Sequence, residues 1–169
     1  MIAITRSIML TTISLLALSV SAAAFAAGGG GGGGSGGMAN QQSTPADPDY
    51  GTAKSMIDAK NYAGAMPLLQ QVVAKDPKNA DAFTLIGYAT RKSGDANGSL
   101  QYYNTALGID PKHIGAHEYV GEAYLQLDRL PEAEQHLARL DSLCTFGCAE
   151  YRELKAAVAA YKTGKKPTN

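Results

Sequence analysis

Two pairs of residues in this chain have the chemistry to bond, coordinate or react. Cys144 and Cys148, in the run CTFGC, are its only cysteines. In an oxidising compartment two cysteines this close favour a disulfide, and Gly147 lets the short loop close. Such a bond would clamp two successive helices and contribute about 2 kcal/mol through loop closure. A redox couple is the alternative, although the spacing departs from the two-residue redox motif and no strand pattern surrounds it. Free thiols are the third state. His113 and His117 stand four residues apart at the start of a predicted helix, a spacing able to hold a metal, but no third ligand lies nearby. His136 reads as a surface residue. There is no phosphate-cradling glycine loop, no activated-serine motif and no paired-acid constellation. The sequence therefore implies no catalytic residue, no metal and no cofactor.

The helices that must carry these residues are set by a repeat. Pro77 and Pro111 lie 34 residues apart, as do Gly87 and Gly121, and as do Ala65, Ser99 and Ala133. A fixed period of that length marks stacked helical units, each unable to bury its apolar face alone. The first unit has a helix over about Asp49–Lys60 and a second over Tyr62–Lys75, capped by Asn61. Ala65, Leu68, Leu69, Val72 and Val73 recur at three- and four-residue steps, on one face of the second helix. Asp76-Pro77 stops that helix and Asn79 caps the next. In the middle unit Phe83, Ile86, Gly87 and Thr90 form one stripe, and Leu100, Tyr103, Ala106 and Leu107 form the stripe facing it. Gly94 closes the turn between them in a left-handed conformation and Asp95 caps the second helix. The third unit carries Val120, Gly121 and Tyr124, then Ala133, Leu137 and Leu140, with Pro131 in the first helical turn. A last helix, about 149–162, sets Tyr151, Leu154, Val158 and Tyr161 on one side and charged residues on the other, as the shielding end of a stack requires.

Fifteen basic side chains balance fifteen acidic ones, so nothing draws the chain to nucleic acid or to an anionic membrane surface. Nine of the 19 glycines fall in Gly28–Gly37, and outside that tract the composition is that of an ordinary helical domain. Residues 27–47 read as a glycine-rich flexible tether, because a run without side chains loses too much entropy on ordering. Ahead of it, Arg6 is the only charged residue before Asp47 and is followed by an apolar run from Ile8 to Val20. Ala24-Phe25-Ala26 then offers small residues at a cleavage site, so residues 1–26 read as a secretory signal removed after Ala26. An uncleaved anchor is the alternative, but the apolar run is short for a hydrocarbon layer of roughly 30 Å. The expected location is periplasmic or secreted, with no stable membrane insertion after cleavage.

With these residues in view, the chain resembles the tetratricopeptide-repeat family, whose 34-residue helix-turn-helix unit places an aromatic, Leu-Gly and Tyr on its first helix and Ala, an aromatic, Ala and Pro on its second. The middle unit matches at Phe83, Ile86-Gly87, Tyr103, Ala106 and Pro111 and departs at Thr90 and Ser99. The third matches at Gly121, Tyr124 and Ala133, with His117 in the aromatic's place. The first matches in its second helix, at Ala65 and Pro77. The resemblance implies an all-α, right-handed superhelical stack over 48–163, with repeats at about 46–79, 80–113 and 114–147, a capping helix at about 149–162 and a disordered tail at 164–169.

The resemblance also implies a concave groove, lined by the first helix of each pair, that holds a segment of a partner protein. Its lining here would be Tyr50 and Lys54, then Thr84, Tyr88 and Arg91, then Glu118, Tyr119, Glu122 and Gln126. One family subtype grips a terminal carboxylate with Lys and Asn at set positions; Tyr50 and Lys54 stand in those places, so that specificity is not implied. The alternative for the charged pair is that Arg91 and Glu122 bond to each other while the tyrosines cover surface. The function implied is a non-enzymatic adaptor or scaffold in the cell envelope. Thiol chemistry at Cys144 and Cys148, or a self-assembling structural protein, are the readings from other classes.

Overall fold

In the computed structural model, residues 47–168 are described. The leader, nearly all of the glycine-rich tether and Asn169 lie outside them. Seven helices follow in order: α1 (Pro48–Asp58), α2 (Tyr62–Lys75), α3 (Ala80–Lys92), α4 (Ala96–Ile109), α5 (Ile114–Gln126), α6 (Leu130–Leu143) and α7 (Ala149–Lys162). There is no strand among the described residues. They pack as an all-α solenoid of helical repeats, α1 on α2, α3 on α4 and α5 on α6, with α7 against α5 and α6.

The period is written in the backbone as well as in the side chains. Lys60, Gly94 and Asp128, each 34 residues from the next, all have positive φ, at 59°, 103° and 61°. Each closes the first helix of its pair in the same way. The amide of Gly94 donates to Arg91 O and that of Asp95 to Thr90 O, and the same two bonds recur at Lys60 with Asn61 and at Asp128 with Arg129. This is the Schellman closure, which uses a left-handed residue to satisfy the last carbonyls of a helix. The sequence announces it only where glycine occupies the position. The helix expected to reach Lys60 ends at Asp58 for this reason.

Short polar residues then start the helices that follow. Asn61, Asn79 and Asp95 accept from the amides of Gly64, Ala82 and Gly98 at 3.0, 2.9 and 2.7 Å. Between pairs, Asp76 and Asp110 accept from the amides of Lys78 and Lys112, fixing tight turns ahead of the next cap. The third such link differs. Cys144 stands where Asp76 and Asp110 stood, as C-cap of α6, and Cys148 is N-cap of α7. Their sulfurs are bonded, with Cα atoms 5.5 Å apart. From C-cap to N-cap is three residues at 76–79 and at 110–113, and four at 144–148. A covalent bond thus holds the one longer link, and Cys148 Sγ also accepts from the amide of Tyr151.

The core changes partners along the stack. Ala53, Ile57, Ala65, Leu69, Val72, Ala82, Ile86 and Ala89 form its first part, and Leu125, Ala133, Leu140, Leu154 and Val158 its last. Because α3 lies between α2 and α4, it buries more than the single stripe read from the sequence: Ala82, Thr84, Ala89 and Arg91 are buried along with Ile86 and Gly87. Close approach at the two aligned glycines is filled differently. A Cβ on Gly87 would meet Tyr103 at 2.6 Å, whereas one on Gly121 would meet Leu154 of α7 at 2.5 Å. The residue aligned with Tyr103 is the shorter Leu137, and α7 reaches into the space.

Candidate functional site

The inner helices α1, α3 and α5 bring most of the expected groove residues to one side of the stack. Tyr88 is the hub. Its ring lies 4.8 Å from that of Tyr119 and meets Tyr62 edge-on at 6.1 Å, and Tyr119 in turn lies 6.4 Å from Tyr103. Offset and edge-on rings at these spacings are attractive beyond the area they bury. The Lys92 ammonium sits 5.8 Å from the Tyr88 ring centroid, a cation on an aromatic face. Burial pushes the Tyr88 and Tyr119 hydroxyls up, and Tyr50 is pushed up to about 12 by burial and by nearby Asp81. All three are neutral hydrogen-bonding phenols near neutral pH.

Three of the nine residues expected at the groove lie beneath its surface. Thr84, Arg91 and Glu118 are 3%, 1% and 4% exposed. Thr84 donates to Ala80 O within its own helix and lies 3.4 Å from His113 Nε2. Arg91 pairs with Glu122 at 2.6 Å, its guanidinium resting on Tyr88 and Tyr119 at 5.5 and 6.0 Å. The charged pair is thus bonded internally, and with Arg91 buried it is no loose surface contact. Its role is to tie α3 to α5 below the tyrosines. Tyr50, Tyr88, Tyr119, Glu122 and Gln126 are half-buried, and Lys54 is exposed, 3.1 Å from Asp58.

Glu118 carries the strongest electrostatic perturbation. Burial, a hydrogen bond with Glu153 of α7, and the charges of Glu122, Glu153 and Glu150 push its carboxyl up to about 9. At neutral pH it holds a proton, because burial and the neighbouring carboxylates disfavour a charge there. The carboxyl thereby joins α5 to α7.

The histidines are structural in ways the sequence pattern concealed. His113 is the N-cap of α5: its Nδ1 accepts from the amide of Ala116 at 3.1 Å, which leaves Nε2–H to donate to Asp81 of α3 at 2.9 Å. His117 and His136 meet through their Nδ1 atoms at 2.9 Å, and His117 Nε2 donates to Pro111 O. His136, expected at the surface, is half-buried and stacks on Tyr124. Burial and the neighbouring His117 lower His136 to about 4. No three His, Cys, Asp or Glu side chains among the described residues gather as a metal site.

A feature with no counterpart in the sequence pattern lies after α7. Gly164, at φ 87°, closes α7 with the same two bonds that close α1, α3 and α5, here Gly164 N to Tyr161 O and Lys165 N to Ala160 O. No outer helix follows within 165–168. Lys166 reaches Asp128 at 2.5 Å, beside the bond from the Tyr161 hydroxyl to the same carboxylate, and Lys92 donates to Thr168 O at 3.5 Å.

Thirty-four-residue hairpins closed by left-handed residues at a fixed register, and glycines holding the inner helices close to their neighbours, decide the fold. The described residues have the tetratricopeptide-repeat fold. The family described as "Anaphase-promoting complex, cyclosome, subunit 3" matches residues 58–140. Among solved structures this repeat stack is similar to the translocator chaperone SycD of Yersinia enterocolitica, at 22% identity and TM-score 0.63, over 79% of this chain and 98% of that one. It is also similar to PcrH in complex with the chaperone-binding region of PopD, at 20% identity and TM-score 0.62, over 69% of this chain and 90% of that one. The Arabidopsis OM64 TPR domain matches at 16% identity and TM-score 0.61, over 68% and 93%. At these identities the likeness is one of fold. Curated relatives include cellulose synthase operon protein C of Escherichia coli K12, 31% identical over 77 residues, and the human protein O-mannosyl-transferase TMTC3, 30% identical over 76. The matched stretches are 44% and 45% of this repeat protein but only 7% and 8% of those relatives' lengths.

Proposed function

We propose that this protein of tetratricopeptide-repeat fold is a non-enzymatic interaction module that holds a segment of a partner protein against its inner helices. The observation that carries the reading is the row Tyr50, Lys54, Tyr88 and Tyr119. These residues lie on the successive helices α1, α3 and α5 and are partly accessible, and Arg91, paired with Glu122, lies against the rings of Tyr88 and Tyr119. Tyrosines fixed in this way give contact area and hydrogen-bonding tips at small entropic cost on binding. The similar SycD has been solved with a peptide of the translocator YopD, and PcrH with a region of PopD, so a stack of this shape accommodates protein segments.

The signal-like residues 1–26 support a site of action outside the cytoplasm, in the envelope or beyond it, and the tether at 27–47 would give the repeat stack reach. A disulfide at the end of the stack agrees with an oxidising compartment. The bond's place between two helix caps supports a clamp rather than a redox centre.

Capture of partners from the native compartment tests the reading. Lys54→Glu with Tyr88→Ala, checked for an unchanged helical spectrum, is expected to lose at least about tenfold in capture of the partner, since two central contacts of this kind are worth more than about 1.4 kcal/mol together. Undiminished capture of every partner would overturn the concave face as the site.

A further inference from the structure

The stretch 164–168 lies as a strap across the ends of the inner helices. Gly164 turns the chain back on itself after α7, and the residues beyond it run past the end of α5 to the end of α3. One concavity beside the strap is bounded by Lys165, Lys166, Pro167 and Thr168 together with Lys92, Glu122, Ala157 and Ala160. A second is bounded by Lys166, Pro167 and Thr168 with the α3–α4 turn and with Gln126 and Leu127 of the α5 end. Two of the residues beside the strap, Glu122 and Gln126, belong to the expected groove lining.

The contacts are those of a bound peptide. Lys166 finds the carboxylate of Asp128, the exposed left-handed residue that follows α5. The Lys92 ammonium takes a strap carbonyl. Pro167 sits beside both concavities, fixing an extended backbone with no amide donor of its own. The strap residues are nonetheless mostly exposed, with Pro167 the half-buried exception, and exposed ion pairs contribute little. A contact of that strength holds a segment in place without preventing its exchange.

We propose that the strap is an intramolecular occupant of one end of the concave face, and that a partner enters there by displacing it with an extended segment bearing a lysine followed by proline. Asp128 selects the lysine, the apolar floor of Ala157, Ala160 and Leu127 receives the proline, and Lys92 reads a backbone carbonyl. The proposal rests on the reading of the concave face as the binding surface, and adds both the chemistry of the partner and a built-in competitor. The strap regulates by mass action: binding in trans is weakened by the fraction of molecules in which the strap is seated.

The test uses a capped synthetic peptide with the sequence of residues 164–169, titrated by amide NMR into two proteins. One is the wild-type chain; the other has Lys166, Pro167 and Thr168 replaced by serine. The strapless variant is expected to show saturable shifts at Lys92, Gln126 and Asp128, and the wild type to bind the same peptide at least about threefold more weakly because its own strap competes. Asp128→Ala in the strapless protein should weaken binding by about fivefold, the size of an exposed ion pair. Absence of shifts at those amides, or equal binding by the two proteins, would overturn the proposal. The wider reading stands or falls separately, because capture through Lys54 and Tyr88 probes helices α1 and α3 away from the strap.

Discussion

Glu118 shows how far one buried side chain sets the behaviour of this molecule. Its folded carboxyl titrates near 9, well above the ordinary value, so the fold takes up a proton that the unfolded chain releases. Stability from this group is full at acid pH and declines as pH rises from the unfolded value, about 4.5, toward 9. Glu118→Gln keeps the donor toward Glu153 without needing the proton, and is expected to raise stability at pH 8 by about 1–3 kcal/mol while changing little at pH 5. Urea denaturation at the two pH values measures it; equal midpoints for the two proteins at pH 8 would contradict a Glu118 carboxyl held protonated by the fold. The histidine pair has the opposite sign. His136 titrates near 4 in the fold, below its ordinary value, so its stabilisation is present above about pH 6.5 and lost as pH falls toward 4. In the Glu118→Gln background, stability should therefore decrease between pH 6.5 and 5 while NMR of the folded protein still shows a neutral His136 ring, because it is the unfolded chain that takes up the proton in that range. Lys60 offers a backbone test: glycine there relieves the left-handed strain, and Lys60→Gly should stabilise the fold by about 1 kcal/mol in thermal unfolding.

At the scale of elements, the link between α6 and α7 carries a clear expectation. The disulfide replaces an Asp-Pro turn where the connection is one residue longer, so Cys144→Ser with Cys148→Ser should cost about 2 kcal/mol. Reductant should have the same effect on the wild type and none on the variant. The helices themselves are legible in the sequence because their signals are local. Asn61, Asn79 and Asp95 cap where their side chains can reach an amide three residues on, and the apolar steps of α2 define its buried face. The features that the sequence conceals depend on contacts between helices. Arg91 reads either as a groove cation or as the partner of Glu122, and only the packing of α3 beside α5 decides for the pair; His113 shows a metal-like spacing from His117 but gives no sign of the bond that it makes to Asp81 of α3. Lys60 and Asp128 carry the same left-handed turn as Gly94, yet only the glycine announces it, because the turn is imposed by register rather than by residue type. The strap is hidden for a related reason: Lys165-Lys166-Pro167 is an ordinary polar stretch until Gly164 folds it back against Asp128.

For the molecule as a whole, the proposed function makes the inner helices the working face and the outer helices the support. A photoreactive phenylalanine introduced in place of Lys54 or Tyr88 on that face, and in place of Gln101 or Thr105 on the exposed side of α4, tests this division in the native compartment whatever the partner is. A working inner face predicts a covalent protein adduct from positions 54 and 88 and none from 101 and 105. Adducts confined to the α4 positions, with the inner ones silent, would contradict it.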